Sequence, residues 1–175
     1  GNCGTSRVDV ANFFAAVTEA RTGVNVATLL GQGSIRGQVM GGSFMRPPTP
    51  AEVERMRELV AQAMKDGAVG MSTGLIYLPG TYTKTDELIE LAKVAATHGG
   101  IYASHMRAET LKIFDAIDEL VRIAREAKIR AQVSHIKLSG PSAWGRTEEV
   151  VARLVAARRE GLEINHDQYL YTASS

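Results

Sequence analysis

Ile101–Arg107 reads IYASHMR, and Ala131–Lys137 reads AQVSHIK. Each is a short run of strand-forming residues that closes on Ser-His, and the two histidines, His105 and His135, stand 30 residues apart (135 − 105). One strand, its helix and the two joining loops take about 30 residues in an α/β barrel, where roughly 250 residues are shared among eight units. The spacing therefore predicts two imidazoles at the same height, on the carboxyl ends of neighbouring parallel strands. Such folds place their chemistry at that end.

Working outward, the same unit repeats. Asp9 is placed to cap a helix over 10–20 that stops before Gly23, and the apolar run 25–30 reads as a buried strand ended by Gly31-Gln32-Gly33. The stretch 37–48, with its glycines and prolines, reads as loop. Thr49-Pro50-Ala51-Glu52 is a helix opening with a capping box and proline in the first turn. The helix it starts carries Val53, Met56, Leu59, Val60 and Ala63 as one apolar stripe and ends at Gly67. Strands are predicted over 68–72, 101–105, 130–135 and 162–167. Helices follow over 83–96, capped by Thr83 or Thr85, over 109–127, and over 147–160. With Cys3 read as a strand end, the count is six strands. Alternation of this kind argues for a parallel sheet with right-handed crossovers, met equally by a barrel or an open doubly wound sheet. No GxGxxG or Walker-type loop follows any strand, which speaks against nucleotide binding.

The composition is that of an ordinary globular domain. The 175 residues are 45% hydrophobic and 22% charged with a net charge of +1, enough for one core and without a nucleic-acid or membrane footprint. A single cysteine, Cys3, excludes an intrachain disulfide and points to a reducing compartment, the cytoplasm. Gly-Asn-Cys-Gly at 1–4 and Tyr-Thr-Ala-Ser-Ser at 171–175 read as interior pieces of a longer chain, so a fragment is expected. An incomplete sheet of this kind would leave open edges and invite self-association.

A lone histidine at a strand end is usually scaffolding; two at matched positions on adjacent strands suit a zinc site. A thiolate from Cys3 at the same mouth would complete a soft N/S set of three ligands and leave one position open for water, the pattern of a catalytic zinc. Lys137, two residues past His135, suits an anion or a solvated loop equally. His98 reads as structural at a helix C-terminus, and His166 is set aside because strand alternation turns one of His166 and Asp167 away from the mouth. Arg107 and Glu109 read as a local ion pair, and Trp144 as a loop anchor.

GNCG at 1–4, GMSTGLIYLPG at 70–80, YASHMR at 102–107, VSHIKLSG at 133–140 and YLYTASS at 169–175 together resemble the N-acyl-D-amino-acid deacylases, zinc-dependent members of the amidohydrolase superfamily. The five motifs run in order along essentially the whole chain. The resemblance implies a partial TIM (β/α)8 barrel of the metal-dependent hydrolase type, about strands 2 to 7, as a single catalytic-barrel fragment over 1–175. It implies one or two Zn2+ ions, with Cys3, His105 and His135 as ligands. Lys137, Tyr169 and Ser175 then fall where the family binds the carboxylate side of an N-acyl amino acid. The first strand's His-X-His pair and the aspartate that serves as base are expected outside this chain. Ile136 and Gln32 stand where many relatives carry histidine. Two alternatives remain at this level. One is a cyclic-imide or dihydroorotase-like hydrolase, disfavoured because the strand near Ser72 offers no lysine at its tip. The other is a partial barrel without activity of its own.

Overall fold

The computed structural model describes residues 2–171. Five parallel strands are joined in the order β1 (Leu30–Gly31), β2 (Gly70–Gly74), β3 (Ile101–His105), β4 (Arg130–Val133) and β5 (Ile164–His166). The order follows the sequence with no reversal, so the sheet is singly wound. A doubly wound sheet would need a point at which the order turns back. Right-handed crossovers then carry the connecting helices to one face. These are α2 (Gln32–Met40) with α3 (Pro50–Lys65), α4 (Thr85–Thr97), α5 (Ile113–Ala127) and α6 (Thr147–Arg159), preceded by α1 (Val10–Glu19).

Local signals account for several boundaries. The Asp9 carboxylate accepts from Asn12 N at 2.9 Å and caps α1. Thr49 and Glu52 form the reciprocal capping box of α3, with Pro50 in its first turn. The apolar stripe of α3 supplies Met56, Val60 and Ala63 to the core, and α5 supplies Ile113, Ile117, Leu120 and Ile123. Each such aliphatic side chain withdrawn from water contributes about 1.5–3 kcal/mol before the entropy of ordering it. In the sheet, Met71, Tyr102, Ala131 and Ile164 share one register row and are all buried.

Other boundaries differ from the sequence reading. Cys3 does not end a strand: it sits in a turn, and the sheet has five strands among the described residues. Of the run expected as a strand over 25–30, only Leu30 and its successor Gly31 pair with β2; Thr28 contributes one carbonyl to Val69 N. The glycine-rich stretch after Gly31 is helical rather than loop, because Ile35, Arg36 and Met40 are buried on one side of α2. The helix expected from residue 109 begins at Ile113, leaving Glu109 outside it. Neither Thr83 nor Thr85 caps α4. Lys84 holds the cap position without a side-chain bond, Thr83 accepts from Gln32 Nε2 at 3.0 Å, and Thr85 donates to Glu119. Trp144 is 65% exposed and anchors nothing; its neighbour Ala143 is the buried residue of that loop. No helix among the described residues is long and apolar enough to cross a membrane.

Candidate metal centre

His105 is the last residue of β3, opposite Gly74 at the end of β2. Ser72, at the register position of Ala103, faces the same way as His105 by strand alternation. The Ser72 hydroxyl accepts from Gly4 N at 3.3 Å, which draws the Cys3–Gly4 turn onto the end of β2. The turn is seated closely. A side chain at Gly31 or Gly74 would run into the backbone carbonyls of Gly4 and Cys3 respectively. Gly33 gives α2 room beside the same turn, since a Cβ there would meet Gly4 O at 2.9 Å. Those three glycines therefore allow a cysteine to reach the sheet mouth without belonging to a strand.

His135 lies two residues past β4 with a left-handed backbone, φ 38°. Its amide donates to Asp167 Oδ1 at 2.6 Å, while Asp167 Oδ2 accepts from Gln132 at 2.7 Å. Ile136 N donates to Asp167 O at 2.9 Å. Asp167, just beyond β5, thus pins the histidine turn from below. Its neighbour His166 lines a separate surface groove with Trp144 and Val150.

Cys3, His105 and His135 each bring one donor atom to a common point, all within 4.8 Å of one another. Cys3 Sγ lies 3.6 Å from His135 Nε2. Ligands at zinc bond lengths of about 2.3 Å (S) and 2.0–2.1 Å (N), placed tetrahedrally, stand about 3.6 Å apart. The His105 and His135 rings meet edge-on with centroids 4.3 Å apart, and Tyr77 packs on the other side of His105 at 4.8 Å. Both ring nitrogens of His105 are buried without a hydrogen-bond partner. A buried imidazole with no hydrogen bond costs desolvation energy that a bound cation would repay. The donor set and its spacing fit zinc.

Electrostatics agree with neutral ligands. Burial, followed by the neighbouring His135, pushes the His105 imidazolium down to about 4, so the ring is neutral and its lone pair available at pH 7. Burial raises the Cys3 thiol, against the pull of Lys137. A cation at this point would reverse that, since a coordinating thiol is deprotonated by its metal.

Lys137 and Tyr169 stand at the rim. Lys137 Nζ lies 5.6 Å from the centre of the Tyr169 ring and 3.0 Å from His135 Nδ1. Ser175 lies outside the described residues. Lys137 is also ion-paired with Glu109, a residue the sequence reading assigned to Arg107. Arg107 turns away instead: it pairs with Glu119 at 2.9 Å and donates to the carbonyls of Thr81 and Thr83. Glu109 Oε1 lies 3.4 Å from His105 Nε2 and 3.5 Å from His135 Nδ1. Its signal in the sequence is the i,i+4 spacing from His105. His98, as expected, closes α4, with Nδ1 3.0 Å from Val94 O.

The chain is 36% identical over 165 residues to a D-aminoacylase of Alcaligenes xylosoxydans xylosoxydans, covering 94% of this chain and 34% of that protein. It superposes on the N-acyl-D-glutamate deacylase of Bordetella bronchiseptica, solved with zinc and a phosphonate inhibitor that mimics the tetrahedral intermediate. That match has a TM-score of 0.90 and 37% identity, over 93% of this chain and 34% of the other. A D-aminoacylase studied for the functional role of its binuclear metal centre matches with a TM-score of 0.88 and 34% identity, over 93% of this chain and 34% of the other. The chain thus spans about a third of the length of these relatives. No protein-family model matches it.

Proposed function

The chain belongs to the N-acyl-D-amino-acid deacylase family, and on that premise we propose that it supplies the zinc-binding part of an enzyme that hydrolyses the amide of N-acyl-D-amino acids. The products are a carboxylate and a free D-amino acid. The observation that carries this is the convergence of Cys3, His105 and His135, with both His105 nitrogens buried and without a hydrogen bond. The singly wound sheet is then an arc of an eight-stranded barrel, with the remaining strands and the general-base aspartate supplied by residues outside this chain. The enzyme works in the cytoplasm, in keeping with the single cysteine among the 175 residues of this chain.

Cys3, His105 and His135 would hold one Zn2+, and a second ion would need ligands besides these three. Zinc would supply a Lewis acid for the acyl carbonyl and would activate water at neutral pH. The chain's own residues do the positioning. Lys137, with Tyr169 beside it, offers a cation to the free carboxylate of the substrate, and Ser175 orients that carboxylate. The carboxylate takes a share of the Lys137 ammonium now bound to Glu109, so binding exchanges one charge-assisted hydrogen bond for another. This fixes the acyl-amide end over the metal point, and the fixed geometry is itself a rate contribution.

The test is metal content by elemental analysis of the purified protein beside a Cys3→Ala/His105→Ala variant. About one zinc per chain bound by these three ligands, absent in the variant, is the expected result. Zinc retained in full by the variant would place the metal elsewhere and remove the basis of the assignment.

A further inference from the structure

Glu109 is the side chain of this cluster with no role in the reading above. It is mostly buried between β3 and α5, 16% exposed at the side chain, and its carboxylate is ion-paired with Lys137. The functional reading needs His135 to bind metal through Nε2, the nitrogen that faces Cys3 Sγ at 3.6 Å. A neutral imidazole carries one proton, so a ligating Nε2 requires that the proton sit on Nδ1. Two groups contest Nδ1. Lys137 Nζ, 3.0 Å away, is a donor only and can meet Nδ1 only where that nitrogen is bare. Glu109 Oε1, 3.5 Å away, is an acceptor only and can meet it only where it is protonated. The two neighbours therefore favour opposite tautomers.

We propose that Glu109 is a positioning residue: when His135 Nε2 takes a metal, the Glu109 carboxylate accepts the proton of Nδ1 and draws off the Lys137 ammonium that otherwise sits on that nitrogen. This inference rests on the deacylase reading of the site. It assigns Glu109 a second task, storing the Lys137 ammonium until an anionic substrate group withdraws it.

The experiment measures zinc affinity by competition with a chromophoric chelator in the full-length protein, with circular dichroism as the check of fold. Carboxylates behind a metal-bound histidine typically change affinity by about 10–100-fold. Glu109→Ala is expected to weaken zinc binding by that factor. Glu109→Gln, which keeps an oxygen acceptor, stays within about threefold of the parent on the same scale. In Glu109→Ala/Lys137→Met the competitor for Nδ1 is gone too, and most of the lost affinity returns. Parental affinity in Glu109→Ala, or a double variant as weak as the single one, overturns the proposal. Should Glu109→Ala fail to fold, Glu109→Gln decides: near-parental affinity supports the role and a loss beyond about tenfold refutes it. Failure of the parent to take up any zinc would instead sink the deacylase reading itself.

Discussion

Arg36 is fully buried, and replacing its partner Glu87 with leucine should be among the costliest single changes in this molecule. The guanidinium is ion-paired with Glu87 and donates to Phe44 O at 2.9 Å and Arg46 O at 2.7 Å, tying α2 to the loop that follows it. Gln32 Nε2 donates to Glu87 Oε1 at 3.2 Å and joins the base of α2 to α4. Glu87→Leu leaves a buried cation that cannot lose its proton, at a cost of about 3–5 kcal/mol. Arg36→Met leaves a carboxylate that can protonate. Burial already raises the Glu87 pKa despite the guanidinium, so that variant should lose only about 1–3 kcal/mol. Removing both together should bring stability back to within about 2 kcal/mol of the parent, because an apolar pair of similar volume avoids the desolvation cost. Urea denaturation at pH 7, followed by far-UV circular dichroism at fixed zinc, gives all three values by linear extrapolation. A loss below about 1 kcal/mol for Glu87→Leu, or a double variant as unstable as the two singles summed, would refute the reasoning.

Two further outcomes follow from the metal centre. The folded His105 imidazole has its pKa lowered from 6.5 to about 4, first by burial and then by His135. The unfolded chain therefore takes up a proton between those values that the folded metal-free chain refuses, so stability is full above pH 6.5 and falls as pH drops towards 4, by at most about 3 kcal/mol. A metal-free parent no steeper between pH 7 and 4 than His105→Gln would refute it. In Gly74→Ala the new methyl would collide with the Cys3 carbonyl oxygen. The Cys3 turn should be displaced, with zinc affinity down at least tenfold for about 1–3 kcal/mol of stability; undiminished affinity would show that the turn has room.

What the sequence disclosed was whatever depends on neighbours within a few residues. The cap at Asp9, the box at Thr49 and Glu52, and the stripe of α3 are set by spacings of three and four, which are local. The Ser-His echo brings both histidines to one mouth, but not at matched strand ends: Ser104 pairs with Val133, and His135 falls two residues past β4 in a turn of its own. α2 was hidden because its stability is not local. Gly33 and Gly37 lower its propensity, and Arg36, an exposed residue by any default, is buried because Glu87 awaits it 51 positions away. Glu109 was misassigned for the same reason. Arg107 is its natural partner by proximity in sequence, but Arg107 reaches Glu119 and two loop carbonyls, which frees Glu109 for Lys137 from the loop after β4.

The way the site is held also explains why two of its ligands lie outside regular structure. Cys3 and His135 both have left-handed backbones, φ 55° and 38°, a conformation uncommon for residues other than glycine. Each costs about 1–3 kcal/mol and persists only where surrounding contacts leave no alternative. For Cys3 those contacts are the Gly4–Ser72 bond and the glycine-lined seat at the ends of β1 and β2. For His135 they are the Asp167 carboxylate on its amide and the Ile136 amide on the Asp167 carbonyl. A strand residue alternates between faces and can aim only up or down. A left-handed residue in a turn at the mouth directs its side chain across it, so Cys3 and His135 can converge on the point that His105 reaches from β3. The backbone strain is therefore tied to the convergence: relaxing either turn to an extended conformation would redirect one ligand and open the triangle.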